Sequence, residues 1–509
     1  MWRDATFVES PRPVTDTAAA PRTLATLGLA SEVRCAAPGW EGIALTGLSV
    51  DSRMVRPGHL FAALPGSNAH GARFADQAVA AGAAVILTDA EGAGLIEGAP
   101  VVVSDDPRAV LAHAAARWYG AQPETMVAVT GTNGKTSVAT FTRQIWQAMG
   151  LPAVNFGTTG VEGHIAAPLS HTTPEPITLH HLLCALNEQG VTHAAMEASS
   201  HGLAQRRLDG VRLAAAGFTH LSRDHLDYHA TFEEYEAAKA LLFHRVLPEG
   251  ATAVINTDTE AGRRMAALAT ARGQRVIAVG QGEEARIRLI RVEFRPTGQR
   301  LTYRYGQVEA EVELPLVGAF QAENALLAAG LAIGAGGAPA RVFSALSQLK
   351  PVAGRMQRVA HRQAGGTVYV DYSHTPDSVA TALKALRPHV EGRLIVAVGA
   401  GGDRDPGKRP LMGRAAVENA DIAIITDDNP RSEDPATIRA AVLEGAAGAR
   451  EVGDREQAIR EGCTLLRDGD VFLIAGKGHE TGQIVGDVTL PFDDAQVAAR
   501  IVAELDGLP

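Results

Sequence analysis

Short apolar runs rich in β-branched residues recur along the chain, most of them running into a turn or loop of Gly, Ser, Asn or Asp, with helical stretches between them. This alternation predicts strand-then-helix units, mostly parallel sheets, and ligand sites at the carboxyl ends of strands. Near the N-terminus the pattern predicts strands over 85–88 and 101–103 and a helix over 72–81, a small α/β domain. A helix over 107–119 leads into a buried strand over 126–130, a Gly-containing turn and a helix over 137–149. Strands over 194–197 and 218–221 and a helix over 235–243 follow, and the alternation runs on to about residue 350. A second doubly wound unit begins there, with strands at 368–371, 394–398, 422–426 and 471–475, each emptying into a polar loop. The expected division is 1–106 (with a loose extension to about residue 22), 107–350 with a parallel sheet and a P-loop-like turn, and a Rossmann-like 351–509.

Composition narrows the class. A hydrophobic fraction of 46% and a charged fraction of 20% are those of a globular protein, and a net charge of -10 argues against a nucleic-acid partner. Cys35, Cys184 and Cys463 are odd in number and far apart, with neither a disulfide framework nor zinc spacing, which fits a reducing cytoplasm. The most apolar region, 326–340, is broken by Gly334, Gly336, Gly337 and Pro339, so no membrane span is expected. Arg3, Asp4 and Glu9 precede Pro11 and Pro13 without an apolar core, so no signal peptide is expected.

The sharpest chemistry lies at Thr130-Gly-Thr-Asn-Gly-Lys-Thr136. Strand, glycine turn and helix in that order aim backbone N–H groups at a polyphosphate, with Lys135 adding charge and the Thr136 hydroxyl a ligand for Mg²⁺. Val129 stands where a Walker A loop would carry glycine, leaving a shorter loop between Gly131 and Gly134. An ATP site is the expectation. Glu197 ends a strand, and Asp224, His225, Asp227, Tyr228 and His229 crowd one loop, a pattern suited to a metal although His is an unusual partner for Mg²⁺. A protonated Lys239 beside Mg²⁺ would be repelled, which leaves it a phosphate role or none. Ser and Gly near Arg53 suit phosphate or sugar hydroxyls, the Gly399 loop does not fit a dinucleotide fingerprint, and Asn429-Pro-Arg431 reads alone as a turn with a solvated Arg.

The phosphate loop together with Met196-Glu-Ala-Ser-Ser-His-Gly202, Leu221-Ser-Arg-Asp-His-Leu-Asp-Tyr-His229 and Tyr235-Glu-Ala-Ala-Lys239 resembles the Mur ligase family. Gly354-Arg-Met356, Asp371-Tyr-Ser-His-Thr-Pro376, Gly402-Asp-Arg-Asp405 and Asp428-Asn-Pro-Arg431 resemble its diaminopimelate-adding branch, and the likeness runs from about residue 50 to 480. The resemblance implies an N-terminal UDP-sugar domain, a central ATP-binding domain and a C-terminal amino-acid domain that close around their substrates. It implies ATP contacts at Gly131, Thr132, Asn133, Gly134, Lys135, Thr136, Ser137 and Asn324. It places the UDP-muramoyl dipeptide at Val50, Ser52, Ser67, Asn68, Ala69, Thr172, Thr173, Ser199, Gln205, Arg207 and Lys239. Diaminopimelate would meet Arg404, Asp428, Asn429, Pro430, Arg431, Gly476 and Glu480, with Arg431 gripping its distal carboxylate and Glu480 suited to an ammonium.

Lys135, Glu197, His225 and Lys239 would be catalytic. The resemblance further implies a CO₂-derived carbamate on Lys239, which turns a cation into a carboxylate-like ligand, and Mg²⁺ held by Thr136, Glu197, His225 and Lys239. The implied activity is ATP-dependent ligation of meso-diaminopimelate to UDP-N-acetylmuramoyl-L-alanyl-D-glutamate through an acyl phosphate, in cytoplasmic peptidoglycan precursor synthesis. The implied partners are small molecules, neither nucleic acid nor membrane, and the expected state is a monomer. The rivals are the same chemistry with L-lysine or glutamate, and an ATP-hydrolysing switch that ligates nothing.

Overall fold

A computed structural model describes residues 22–35, 38–66, 69–169, 171–222 and 231–507. Residues 1–21 of the expected N-terminal extension, Ser67, Asn68 and residues 223–230, which include His225, lie outside the described residues. The chain divides into two compact units, 1–278 with 330–338, and 279–329 with 339–509.

The first unit opens with a four-stranded parallel sheet, β1 (Gly47–Ser49), β2 (His59–Ala62), β3 (Val85–Thr88) and β4 (Val101–Val103), paired in that order. The predicted helix over 72–81 is divided into a 3₁₀ turn, Gly71–Phe74, capped by His70, and a short α-helix, Ala75–Ala80. The helix expected over 107–119 is present as α1 (Pro107–Tyr119), with the Asp106 carboxylate capping Ala109 N and Pro107 in the first turn, where its missing N–H costs nothing.

The larger sheet of this unit is built around β5 (Thr125–Thr130), in which every residue after Thr125 is buried. A continuous apolar run of that kind suits a central parallel strand covered on both faces. The elements that follow are α2 (Lys135–Ala148), β6 (Ala153–Gly157), β7 (Gly160–Gly163), α3 (Pro176–Glu188), β8 (His193–Glu197), β9 (Ala215–Phe218), α4 (Phe232–Leu241), β10 (Thr252–Asn256), α5 (Glu260–Ala271) and β11 (Arg275–Gly280). Their strands lie in the order β11-β10-β9-β5-β8-β6-β7, parallel in the centre, with β7 antiparallel at the edge. The chain leaves β5 toward β6 and later crosses back from β8 to β9, so the topological switch falls at the carboxyl end of β5.

The strand expected over 218–221 instead ends at Phe218. Small residues Ala215, Ala216 and Gly217 form it because it is sandwiched: a Cβ on Gly217 would press on Leu331 and Val129. The helix expected from residue 137 begins at Lys135, because Gly134 takes a left-handed φ of 87° as its N-cap.

The second unit begins with an antiparallel meander that the alternation reading missed: β12 (Ile287–Arg295), β13 (Gly298–Tyr305) and β14 (Val308–Leu314). Its main sheet holds β15 (Gln357–His361), β16 (Thr367–Asp371), β17 (Leu394–Val398), β18 (Ile422–Ile425), β19 (Arg450–Glu451) and β20 (Val471–Ala475), in the order β15-β16-β20-β17-β18-β19. All pairs are parallel except β15 at the edge, as a doubly wound sheet requires. The helices include α6 (Pro376–Leu386), α7 (Lys408–Asn419), α8 (Pro435–Leu443), α9 (Arg455–Leu465) and α10 (Asp494–Leu505). Apolar clusters cover both sheet faces, one around Val396, Val398 and Leu473, the other around Ile395, Ile424 and Phe472. Before α10 comes a hairpin of β21 (Gly482–Val485) and β22 (Val488–Pro491).

Candidate active site

The turn after β5 carries the first group of predicted residues. Gly131 has a φ of 143°, and a Cβ there would overlap the Thr219 hydroxyl, so only glycine fits. Thr219 Oγ1 donates to Asn133 O at 2.6 Å, and Thr132 N donates to His220 O at 2.8 Å. The Thr132 hydroxyl is a hub: it donates to Ser222 O at 3.1 Å and accepts from Ser222 N at 3.0 Å and from the buried Tyr235 hydroxyl at 3.2 Å. The loop is therefore held from β9's exit and from α4. Lys135 Nζ folds back on Gly131 O (3.0 Å) and Thr132 O (2.8 Å), a cation kept beside the N-terminus of α2.

Glu197, the last residue of β8, is 2% exposed. Its Oε1 accepts from Thr136 Oγ1 at 3.1 Å and from Thr158 N at 2.8 Å, and its Oε2 from Thr158 Oγ1 at 3.2 Å. Thr158 Oγ1 in turn meets Thr172 Oγ1 at 3.1 Å. Sequence reasoning missed Thr158 and Gly157; a Cβ on Gly157 would overlap the Glu197 carboxyl group. Lys239, also buried, donates to Gly131 O at 2.7 Å, and its Nζ lies 4.3 Å from the centre of the Tyr235 ring. Among the described residues no group of three or more His, Cys, Asp or Glu side chains could hold a metal ion. The hard oxygen donors at this site are the Thr136 hydroxyl and the Glu197 carboxylate, a pair that suits Mg²⁺.

The residues expected to meet the UDP-muramoyl dipeptide include Thr173, Ser199, Gln205 and Arg207, which lie against the same strand end. Thr173 Oγ1 donates to Glu197 O (3.0 Å) and accepts from Ser199 N (3.1 Å), and Ser199 Oγ caps Gly202 N (3.0 Å). Arg207 Nη1 donates to Thr173 O at 2.7 Å, and its Nη2 to Gln205 Oε1 at 2.8 Å. Beside the N-terminal sheet Ser52 Oγ, in a 3₁₀ turn, donates to Gln77 Oε1 on the short helix Ala75–Ala80 at 2.8 Å, and Val50 is exposed in the loop after β1. Asn324, on the helix Phe320–Gly334, donates to Gln321 Oε1 at 3.1 Å.

In the second unit the predicted amino-acid residues gather on the loops after β17, β18 and β20. Arg431 has a left-handed φ of 54°, uncommon for a residue with a side chain and typical of functional turns. Its Nη1 donates to Gly402 O at 2.7 Å, and its backbone N donates to Ile484 O at 3.0 Å. Nε and Nη2 make no hydrogen bond among the described residues, so one edge of the guanidinium is available for a carboxylate. Asn429 Nδ2 donates to Glu480 Oε2 at 3.0 Å, and a Cβ on Gly476, whose φ is 118°, would press on Asp428 Oδ2. Arg404 is exposed. Burial, and then the Glu480 charge, push the Tyr372 phenol above its usual value. Behind the pocket the fully buried Arg455 grips Asp494 through Nε (2.8 Å) and Nη2 (2.6 Å) and donates to Ala475 O and Asp427 O, tying the ends of β20 and β18 together.

Comparison with known proteins gives the family. Residues 44–119 match the Mur ligase family catalytic domain, 129–332 the Mur ligase middle domain and 354–478 the Mur ligase glutamate ligase domain. The chain is 53% identical over 470 residues to a Bradyrhizobium diazoefficiens protein named UDP-N-acetylmuramoyl-L-alanyl-D-glutamate--2,6-diaminopimelate ligase, covering 92% of this chain and 96% of the relative. A Brucella melitensis protein of the same name is 52% identical over 473 residues, with 92% and 97% covered. A solved structure of a ligase of that name superposes with a TM-score of 0.72 at 33% identity, over 96% of this chain and 99% of its own. With three domain matches along its length and relatives 52–53% identical over nine-tenths of it, the chain belongs to the Mur ligase family.

Proposed function

We propose that this protein is the ATP-dependent ligase that joins meso-2,6-diaminopimelate to UDP-N-acetylmuramoyl-L-alanyl-D-glutamate, a cytoplasmic step of peptidoglycan precursor synthesis carried out by a monomer. The observation that carries the substrate choice is the open edge of Arg431, braced on Gly402 O beside Asn429 and Glu480. Diaminopimelate differs from lysine by a second carboxylate, which a fixed guanidinium grips bidentately. The names of relatives at 52–53% identity support the same choice. Functionally the chain divides into 1–106 for the UDP-sugar, 107–350 for ATP and 351–509 for the amino acid.

The acceptor's D-glutamyl γ-carboxylate attacks the γ-phosphorus of ATP, and ADP leaves. Backbone N–H groups from Gly131 to Ser137 and the N-terminus of α2 hold the phosphates, with Lys135 offsetting charge as the phosphoryl group transfers. Asn324 contacts the nucleotide. Val50, Ser52, Ser67, Asn68 and Ala69 hold the uridine end, and Thr172, Thr173, Ser199, Gln205 and Arg207 orient the dipeptide. Thr136 and Glu197, with His225 and a carbamylated Lys239, would hold Mg²⁺, which when bound supplies positive charge to the phosphate oxygens. Carbamylation would exchange the Lys239 bond to Gly131 O for an anionic ligand. Arg404, Asp428, Asn429, Pro430, Arg431, Gly476 and Glu480 position the amino acid. Its neutral amine attacks the acyl carbon, phosphate leaves, and the amine gives up a proton as the amide forms.

The test is phosphate release with ATP, Mg²⁺ and the UDP-muramoyl dipeptide, comparing diaminopimelate, L-lysine and no amino acid, with the product weighed by mass spectrometry. Release that requires diaminopimelate and yields the tripeptide is expected. Preference for lysine would overturn the Arg431 argument, and equal release in all three arms would indicate an ATPase that ligates nothing.

A further inference from the structure

Lys477, like Arg455, is a fully buried cation of the second unit, with its side chain 0% exposed. Gly476 and Gly478 on either side have φ of 118° and 57°, so the chain doubles back after β20 and turns the intervening side chain inward. A lysine at 0% exposure is costly unless every donor is satisfied. Here all three are: Nζ donates to Asn429 Oδ1 at 3.1 Å, Glu480 Oε2 at 3.3 Å and Gly482 O at 2.5 Å. Three acceptors around one nitrogen take up all three of its N–H donors.

The consequence for the amino-acid pocket follows from which atoms are taken. Asn429 Oδ1 receives Lys477 Nζ and also Ile484 N at 3.0 Å, which fixes the amide so that Nδ2 must face Glu480 Oε2, where it sits at 3.0 Å. Glu480 Oε2 thus accepts from both Lys477 and Asn429, while Oε1 has no hydrogen bond among the described residues. One carboxylate oxygen is pinned and the other is left to a ligand. Ile484 N also bonds Asn429 Oδ1 while Ile484 O accepts from Arg431 N, so the pinned Glu480 carboxylate is held in register with Arg431, and a ligand bringing both an ammonium and a carboxylate meets two fixed groups where one bringing an ammonium alone meets one.

We propose that Lys477 is a positioning residue for amino-acid selection, acting through Glu480 and Asn429 to favour a zwitterionic distal group over a simple ammonium. The proposal rests on the ligase reading above. Lys477→Met in the full-length protein should raise KM for diaminopimelate about tenfold or more, the loss expected for a charge-assisted hydrogen bond. It should lower the preference for diaminopimelate over lysine, change kcat little, and leave KM for ATP and for the UDP-muramoyl dipeptide unchanged. Because Lys477 acts through Glu480, Lys477→Met combined with Glu480→Gln should lose no more than Glu480→Gln alone.

An unchanged diaminopimelate KM, additive losses in the double variant, or equal losses for all three substrates would overturn the proposal in favour of a purely structural lysine. Lys477→Gln keeps a donor in the slot; it is read in the same way where the methionine variant fails to fold, and should show the same KM shift in smaller measure. Failure of the unsubstituted protein to form tripeptide would overturn the parent reading instead, so the two failures are told apart.

Discussion

Three side chains carry most of the chemistry proposed here, and they differ in how readable they were. Lys135 announces itself, because a lysine at the first position of a helix after a glycine turn has few other uses. Glu197 was legible as an acid ending a strand and the resemblance put Thr136 beside it, but Thr158 was not legible, since it reaches the carboxylate from another segment. Glu197→Gln keeps the shape and removes the charge, and it should lower kcat by about 10²-fold or more, a loss typical of removing an electrostatic group at a reacting centre. Steady-state phosphate release checks this. Arg431 read alone as a solvated turn residue, and only the brace on Gly402 O and the left-handed backbone give it a fixed direction. Arg431→Lys should raise KM for diaminopimelate about 10- to 100-fold while KM for ATP holds, because an ammonium cannot reproduce the bidentate fork. Kinetics with each substrate varied in turn will show whether the loss is confined to the amino acid.

Elements matter through their ends. The run Thr125–Thr130 and the helix Lys135–Ala148 were readable within two residues, because apolar continuity and a glycine turn are local signals. The strand Ala215–Phe218 was misplaced because its alanines and glycine answer to neighbours packed on both faces, not to intrinsic strand preference. The meander of β12 to β14 escaped for a related reason: its burial is irregular and it interrupts an otherwise regular strand–helix alternation. Gly157, at the end of β6, looks ordinary in sequence, yet its missing side chain is the space that Glu197 fills. Gly157→Ala should leave a folded protein, destabilised by about 1–3 kcal/mol through overpacking, but with ligase activity down about tenfold or more as the carboxylate is displaced. Thermal denaturation and phosphate release on the same sample separate the two effects.

At the scale of the molecule, titration links stability to pH. His180, on α3, is buried with Nε2 3.2 Å from Asp209 O, and burial lowers its pKa from 6.5 to about 4. Between those values the unfolded chain binds a proton that the folded chain refuses, so this contribution is full above about pH 6.5 and is lost as pH falls toward 4. The size is about 3 kcal/mol. His180→Gln should therefore show a smaller fall in Tm between pH 7 and 4.5 than the unsubstituted protein; an equal fall would assign the acid sensitivity elsewhere. No helix among the described residues is long and apolar enough to cross a membrane, in line with the broken apolar stretch at 326–340.

The sequence by itself determined the central strand-then-helix order, the glycine turn between Thr130 and Lys135, and the family, because periodicity and glycine placement act within a few residues of the chain. It also held the motif residues from which the acceptor and amino-acid sites are proposed. Only the tertiary structure decided which partner each of those residues has: Thr158 on Glu197, Tyr235 on Thr132, Gly402 under Arg431 and Lys477 against Glu480. Except for Lys477 and Glu480, these pairs are far apart in the chain, and a buried polar side chain takes its direction from whichever distant segment satisfies its hydrogen bonds.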